Sequence, residues 1–502
     1  MSNQWPPSSV LPYVDVEPEA STAGEPWGYI EFFVAIQLLW GVFLFLPGMQ
    51  PFRLYIRALP YVSSLAALAY FATRASDGAP WPAPAKWLAA VFAVLGLNML
   101  HAETHLMAGL GQVVFQLAIA APMFWVAGTV RSEARMQRLL WIMFVASFAG
   151  AALGVLQVYF PDRFLPPEFS ALARSLNPEY VSALTYTGAD GRLIVRPSGL
   201  SDLPGGAAIS GLTTMVLGVV LTAYGSVSTV RRACYLGAAG LGMTALYLTQ
   251  VRSLTIVAPA AVLLFAAVRL RQGRWAEGTW ITAGAAALVV GSFIWAITLG
   301  GESLTDRFAS LFESGLMTTF QENRGLFLEY TVSDLLYQFP FGAGLGRWGM
   351  MQVYFGDASM WQAPPIYVEI QPTGWLLDGG VPMWLCYGGA LVAAMHFAYR
   401  TAVNGANEGL QHLGSVVLAG QAMIAVLCLT GPVFNTQLGI QFWTLTAALA
   451  GVVKATDDAE AAFERGEGGT AFEDDEGDFQ KDDEDGHAGT TAYATGGPVG
   501  HA

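Results

Sequence analysis

TWITAGAAALVVGSFIWAITL, residues Thr279 to Leu299, runs 21 residues without a charged side chain. As a helix it rises about 31 Å at 1.5 Å per residue, the thickness of a bilayer hydrocarbon core. Its composition repeats along the chain. Apolar stretches fall at about 29–46, 54–72, 86–101, 110–128, 139–160, 204–224, 233–250, 254–270, 279–299, 374–398, 411–430 and 435–453. The chain is 54% hydrophobic and 12% charged, with a mean hydropathy of +0.45, whereas a soluble chain is about 25% charged. In lipid every backbone polar group must be satisfied within its own segment, so these stretches predict helices. The expected fold is all-α, a polytopic membrane protein of about twelve spans occupying 29–453. The pair around Arg252 is the least secure division, since one broken helix would read the same way. Residues 1–28 and 454–502 are expected to be disordered acidic segments.

The net charge of −14 sits almost wholly in those ends. Residues 1–26 carry −4 and residues 455–502 carry −12, which leaves +2 for the body. Nothing in this pattern suggests nucleic-acid binding. With the N-terminus inside, the short inner loops hold twelve Lys and Arg and the short outer loops three, Arg53, Arg57 and Arg252. That bias predicts two cytoplasmic termini. The N-terminus has no basic n-region, so no cleavable signal peptide is expected and the first span serves as the insertion signal. The three cysteines, Cys234, Cys386 and Cys428, have no disulfide or metal spacing and read as small hydrophobes.

Two long connections, 161–203 and 300–373, then face outward. Pro161, Pro166, Pro167 and Pro178 argue against a long helix in the first. In the second, Leu304, Phe308, Leu311 and Phe312 form an apolar stripe at helical spacing, which predicts a surface helix ending by Pro340. This connection also holds Arg307, Arg324, Arg347 and the turn FPFGAGLG, 339–346. The segment EIQPTGWLLDGGVP, 369–382, opens the next span, and Pro372 with Gly374 is expected to prevent a straight helix there. A connection this long among short ones is functional more often than not.

Candidate chemistry gathers at this face. Arg196, Arg252, Arg324 and Arg347 each offer a permanently charged fork that matches phosphate oxygens, against the plainer reading of interface residues touching lipid headgroups. Glu369 and Asp378 are carboxylates at the mouth of the tenth span. Glu31 reads as interfacial. His101, Glu103 and His105 read as a short exposed turn rather than a metal site. The glycine turn lacks a preceding strand and a Walker lysine, so it is a weak phosphate motif.

Several of these places resemble the O-antigen ligase and O-antigen polymerase superfamily of bacterial envelope enzymes. RPSGLSDLP, 196–204, resembles its Arg-x-x-Gly…Pro-Asn element, with Gly205 where Asn is usual. TQVRS, 249–253, resembles its Ser-x-Ser-Arg element. RGLFL, 324–328, and FPFGAGLG resemble its Arg-x-x-x-Leu and Pro-Leu-x-Gly-x-Gly elements. LLDGGV, 376–381, resembles the end of a signature whose catalytic histidine aligns with Glu369. No histidine lies anywhere in 300–373.

The resemblance implies a metal-independent GT-C-type glycosyltransferase of the bacterial inner membrane, without a cofactor. Its donor would be an undecaprenyl-pyrophosphate-linked glycan and its acceptor a glycan or lipid. Glu369, Arg252 and Arg324 would be catalytic; Arg196, Arg347 and Asp378 would bind substrate. A transporter or flippase of an anionic or lipid-linked substrate is the alternative, and it would place charges at the midplane and repeat its broken helices. A non-catalytic scaffold using the acidic tail is a third reading.

Overall fold

The computed structural model of the chain describes residues 26–46, 48–73, 82–166, 184–224, 227–313, 315–356 and 366–465. It is almost entirely helical. The chain divides into one unit, Met1–Ala455, and a second, Thr456–Ala502. In the second, the helix that begins at Gln437 continues to Glu464.

Each apolar stretch carries a helix. In chain order these are α1 (Tyr29–Leu39, prolonged by a tighter turn, Trp40–Phe45), α2 (Arg53–Ala72), α3 (Ala83–Asn98) and α4 (Leu106–Thr129). Next come α5 (Glu133–Tyr159), α6 (Ala207–Leu221), α7 (Thr229–Thr249) and α8 (Arg252–Arg271). The last four are α9 (Trp275–Glu313), α10 (Gln371–Asn404), α11 (Glu408–Leu427) and α12 (Gln437–Glu464). Among the described residues, eight helices are long and apolar enough to cross a membrane: α2, α4, α5, α8, α9, α10, α11 and α12. α6 packs on α5 and α7, α8 on α9 and α11, and α10 on α3 and α11. The α6–α7 contact depends on small residues, because a Cβ at Gly211 would stand 2.6 Å from the Gly242 carbonyl oxygen.

The least secure division of the sequence reading stands: residues 250 and 251 separate α7 from α8, with Gln250 in the left-handed region at φ 54°, so Arg252 opens a new helix. One detail differs. Pro372 sits in the first turn of α10, where a missing N–H is harmless, and Gly374 is fully helical. The break comes later, at Gly379 and Gly380 (φ 65°).

Contacts between loops define two ends of the bundle. At one, Glu31 is completely buried and takes a two-pronged pair from Arg135 at 2.9 and 3.1 Å, with Arg138 at 3.4 Å. Its carboxylate is the centre of this ion-pair cluster at the start of α1. At the other end, Asp202 is clasped by Arg53 and Arg57, both at 2.6 Å, and Thr104 Oγ1 accepts the Leu345 N–H at 2.9 Å. The candidate residues lie at this second end.

Candidate functional site

Arg196 is placed by a framework that the sequence did not announce. Thr185–Thr187 and Leu193–Val195 form a small antiparallel hairpin, whose tip donates Ala189 N–H to the Leu299 carbonyl at 2.9 Å. After it the chain turns through Ser198 and Gly199, whose N–H groups both donate to Gln157 Oε1, at 2.8 and 2.9 Å. The same amide donates back to the Gly199 carbonyl at 3.0 Å. Gln157 is buried on α5 and satisfies backbone groups that a loop cannot satisfy itself. Asp202 then ties the loop to α2 through Arg53 and Arg57. An arginine on a loop so held keeps one position.

Arg252 stands in the first turn of α8 and donates to Ser310 Oγ at 2.8 Å. Ser310 is on α9 beyond its break at Gly301. The continuation packs back through Leu304 and Phe308, Phe308 meeting Tyr247 and Phe293 edge-on at 5.2 and 5.9 Å. The expected stripe is thus buried at those two positions, while the side chains of Leu311 and Phe312 lie outside the described residues. Arg307 is carried inward with them. Arg196, Arg252 and Arg307 all lie within electrostatic reach of one another, with Tyr186 of the hairpin beside Arg196. Burial draws the Arg196 guanidinium below the ordinary arginine range; Tyr186 opposes this, and Arg252 adds to it. The Nε atoms of all three arginines are buried without a hydrogen-bond partner. Among the described residues none of the three is paired with a carboxylate. Three half-buried, mutually repelling cations form a site that favours an anion between them.

A cavity of about 450 Å³ adjoins this cluster. Val251 and Ser253, the neighbours of Arg252, form part of its wall, as do Leu200 and Leu203 of the Arg196 loop. Arg324 is its one charged lining residue among those described. That arginine lies on a wide helical turn, Gln321–Gly325, and is ion-paired with Glu369, which also accepts the Tyr367 hydroxyl. Burial depresses the Arg324 guanidinium, with Tyr367 opposing. Glu369 lies just outside α10, whose N-cap is Ile370.

The remaining two candidates are placed differently. Arg347 is buried, donates to the Ala343 carbonyl at 2.9 Å and lies over the Phe339 ring. Asp378 is wholly buried at the α10 break and accepts from Trp348 Nε1 and Gln112 Nε2, both at 2.8 Å. Neither lines the cavity. The glycine turn between them is a packing device. Gly342, Gly344 and Gly346 all have positive φ and press on Gly379, on the Glu103–Thr104 backbone and on Ala108–Gly109. Val381 N–H donates to the Pro340 carbonyl and Ala343 N–H to the Leu377 carbonyl, each at 2.8 Å, so the turn stitches the helix break closed. His105 Nδ1 caps α4 through the Ala108 N–H, and His101 Nδ1 accepts the Glu103 N–H.

Sequence reasoning named Arg307 without selecting it and passed over Tyr186 and Gln157. Arg307 had a usable signal. It stands three residues after Leu304 and one before Phe308, so the stripe that buries those two carries Arg307 toward the bundle as well. The hairpin had none, since its strands are three residues each, too short for an alternating pattern to stand out. No family model matches the chain, and no curated protein matches it.

Proposed function

We propose that the protein is a bacterial inner-membrane glycosyltransferase of the O-antigen ligase and polymerase type, with twelve spans and both termini cytoplasmic. It transfers a glycan from a polyprenyl-pyrophosphate carrier to a glycan or lipid acceptor at the periplasmic face. The observation that carries this reading is the convergence of Arg196, Arg252 and Arg307, unpaired with any carboxylate among the described residues, beside a cavity lined by Arg324, which pairs with Glu369. In the transfer, an acceptor hydroxyl oxygen attacks the anomeric carbon while that carbon's bond to the pyrophosphate oxygen breaks. The hydroxyl proton passes to Glu369, which stands where the resembling family has histidine. Charge grows on the departing pyrophosphate, where preorganised guanidiniums stabilise it most.

Transport has weaker support. A carrier built on a broken helix exposes the freed backbone groups to its substrate. Here the α10 break is filled by residues 340–343. The test is an assay of purified protein in bilayer discs with a polyprenyl-pyrophosphate-linked oligosaccharide and an acceptor glycan. Product formation with release of polyprenyl pyrophosphate is expected. Uptake of the lipid-linked donor across sealed vesicles without any transfer would overturn the reading.

A further inference from the structure

The end of the bundle that holds Glu31 carries a cavity of its own. It measures about 430 Å³ and lies between the start of α1, the end of α2 and the turn from α4 to α5. Its wall is apolar at Ile30 and Phe71, aromatic at Tyr29 and cationic at Arg131 and Arg135. The two arginines differ in freedom. Arg135 is pinned, donating to Glu31 through Nε and Nη2 and to the Thr129 carbonyl through Nη1 at 2.9 Å. Arg131 is exposed, and among the described residues it has no ion pair.

Charge around this cavity is out of balance. One carboxylate, Glu31, answers both Arg135 and Arg138, and Arg131 adds a third positive charge beside them. The next acid, Glu133, is turned toward α11, where a Cβ on Gly409 would run into its carboxylate. No Asp or Glu lines the cavity among the described residues. An anion therefore gains energy here, while the ammonium of a zwitterionic headgroup finds no partner. The surroundings add hydrocarbon to that anion. α2, which supplies Phe71, buries little of its apolar length within the protein, and Phe32 of α1 is exposed. Trp27, Tyr29 and Tyr70 are exposed at the ends of α1 and α2, where amphipathic rings mark headgroup level. A free phosphate ion would use neither the aromatic wall nor these open apolar faces.

We infer that this cavity binds the headgroup of an anionic phospholipid, its phosphodiester against Arg131 and its acyl chains along the open face of α2. Basic pockets between membrane helices are suited to such headgroups. A lipid held there bridges α1, α2 and the α4–α5 turn, and stabilises by mass action the fold that binds it. The site stands apart from the Arg196, Arg252 and Arg307 cluster and does not depend on the glycosyl-transfer reading.

The experiment titrates full-length protein in detergent micelles with dioctanoyl phosphatidylglycerol, dioctanoyl phosphatidylcholine and glycerol 3-phosphate, counting bound molecules by native mass spectrometry. Wild type takes one phosphatidylglycerol per chain, about fivefold more tightly than phosphatidylcholine, the scale of one arginine against an anionic head. It takes up no glycerol 3-phosphate over the same range. Arg131→Gln removes the preference. Gly128→Leu keeps both arginines but puts a side chain into the cavity, from a lining glycine with open space in its Cβ direction, and blocks phosphatidylglycerol. Arg232→Gln, at an exposed arginine in the first turn of α7, leaves the preference unchanged. No binding of phosphatidylglycerol, equal binding of the two lipids, or glycerol 3-phosphate bound as tightly as the lipid would overturn the inference. So would an unchanged preference in either Arg131→Gln or Gly128→Leu, or an equal loss in Arg232→Gln, which is the mark of diffuse attraction between charges. All of these outcomes leave the transfer reading as it stands.

Discussion

Arg196, Arg252 and Arg307 are half-buried, each with a buried Nε that has no hydrogen-bond partner, and among the described residues none is paired with a carboxylate. For Arg252 the bond to Ser310 satisfies one nitrogen, while Nε is dry. Lysine at this position would keep the charge and lose the fork, so Arg252→Lys should lower transfer by about 10²–10³-fold. Circular dichroism and melting temperature should stay near wild type, and normal turnover would remove the arginine from the mechanism. Glu369 presents a different balance. Its pair with Arg324 is partly exposed, 19% and 35% for the two side chains, so it contributes about 0–1 kcal/mol to stability. Glu369→Gln should therefore stay folded and still bind donor, yet lose about 10²–10⁴-fold in turnover if the carboxylate accepts the acceptor's proton. Single-turnover kinetics with saturating donor check this, and an unchanged rate would shift attention to another base. In this structure Glu369 is ion-paired with Arg324 and accepts the Tyr367 hydroxyl.

At the scale of elements, the breaks in α9 and α10 matter more than the helices. The break at Gly301 lets α9 resume as a buried stripe that brings Arg307 and Ser310 to Arg252. That at Gly380 receives the Pro340–Ala343 turn. Gly380 has φ 65°, and a Cβ there would run into the Pro340 and Phe341 backbone. Gly380→Ala is expected to cost about 2–3 kcal/mol and to unseat the turn rather than straighten the helix. Limited proteolysis within 340–356 and a lowered melting temperature measure this; an unchanged proteolytic pattern would mean that the stitching is dispensable. The turn looked in sequence like a weak phosphate cradle because glycine runs serve both purposes. Only its neighbours, which are other parts of the protein packed tightly against it, distinguish packing from binding.

For the whole molecule, the loops that the Lys/Arg bias assigns to the outside meet one another at one end, as the Asp202 clasp and the Arg252–Ser310 bond require. In a Cys234→Ser background, Tyr337→Cys, 80% exposed in wild type, should react with an impermeant maleimide in intact spheroplasts. Val230→Cys, 74% exposed, should react only after lysis. The reverse pattern would invert the orientation. The sequence alone determined the helices, because a long uncharged stretch in a chain so poor in charge can satisfy its backbone only by coiling on itself. It also determined which charges stand near helix ends, since boundaries follow from the same stretches. It could not determine which of those charges meet. Arg196, Arg252 and Arg307 belong to different connections. Their convergence depends on where Gln157 pins one loop, how Gln250 turns another and how α9 resumes after Gly301. Helix formation is local, and hydropathy records it. The meeting of side chains from distant segments is decided by packing, whose outcome no single stretch contains.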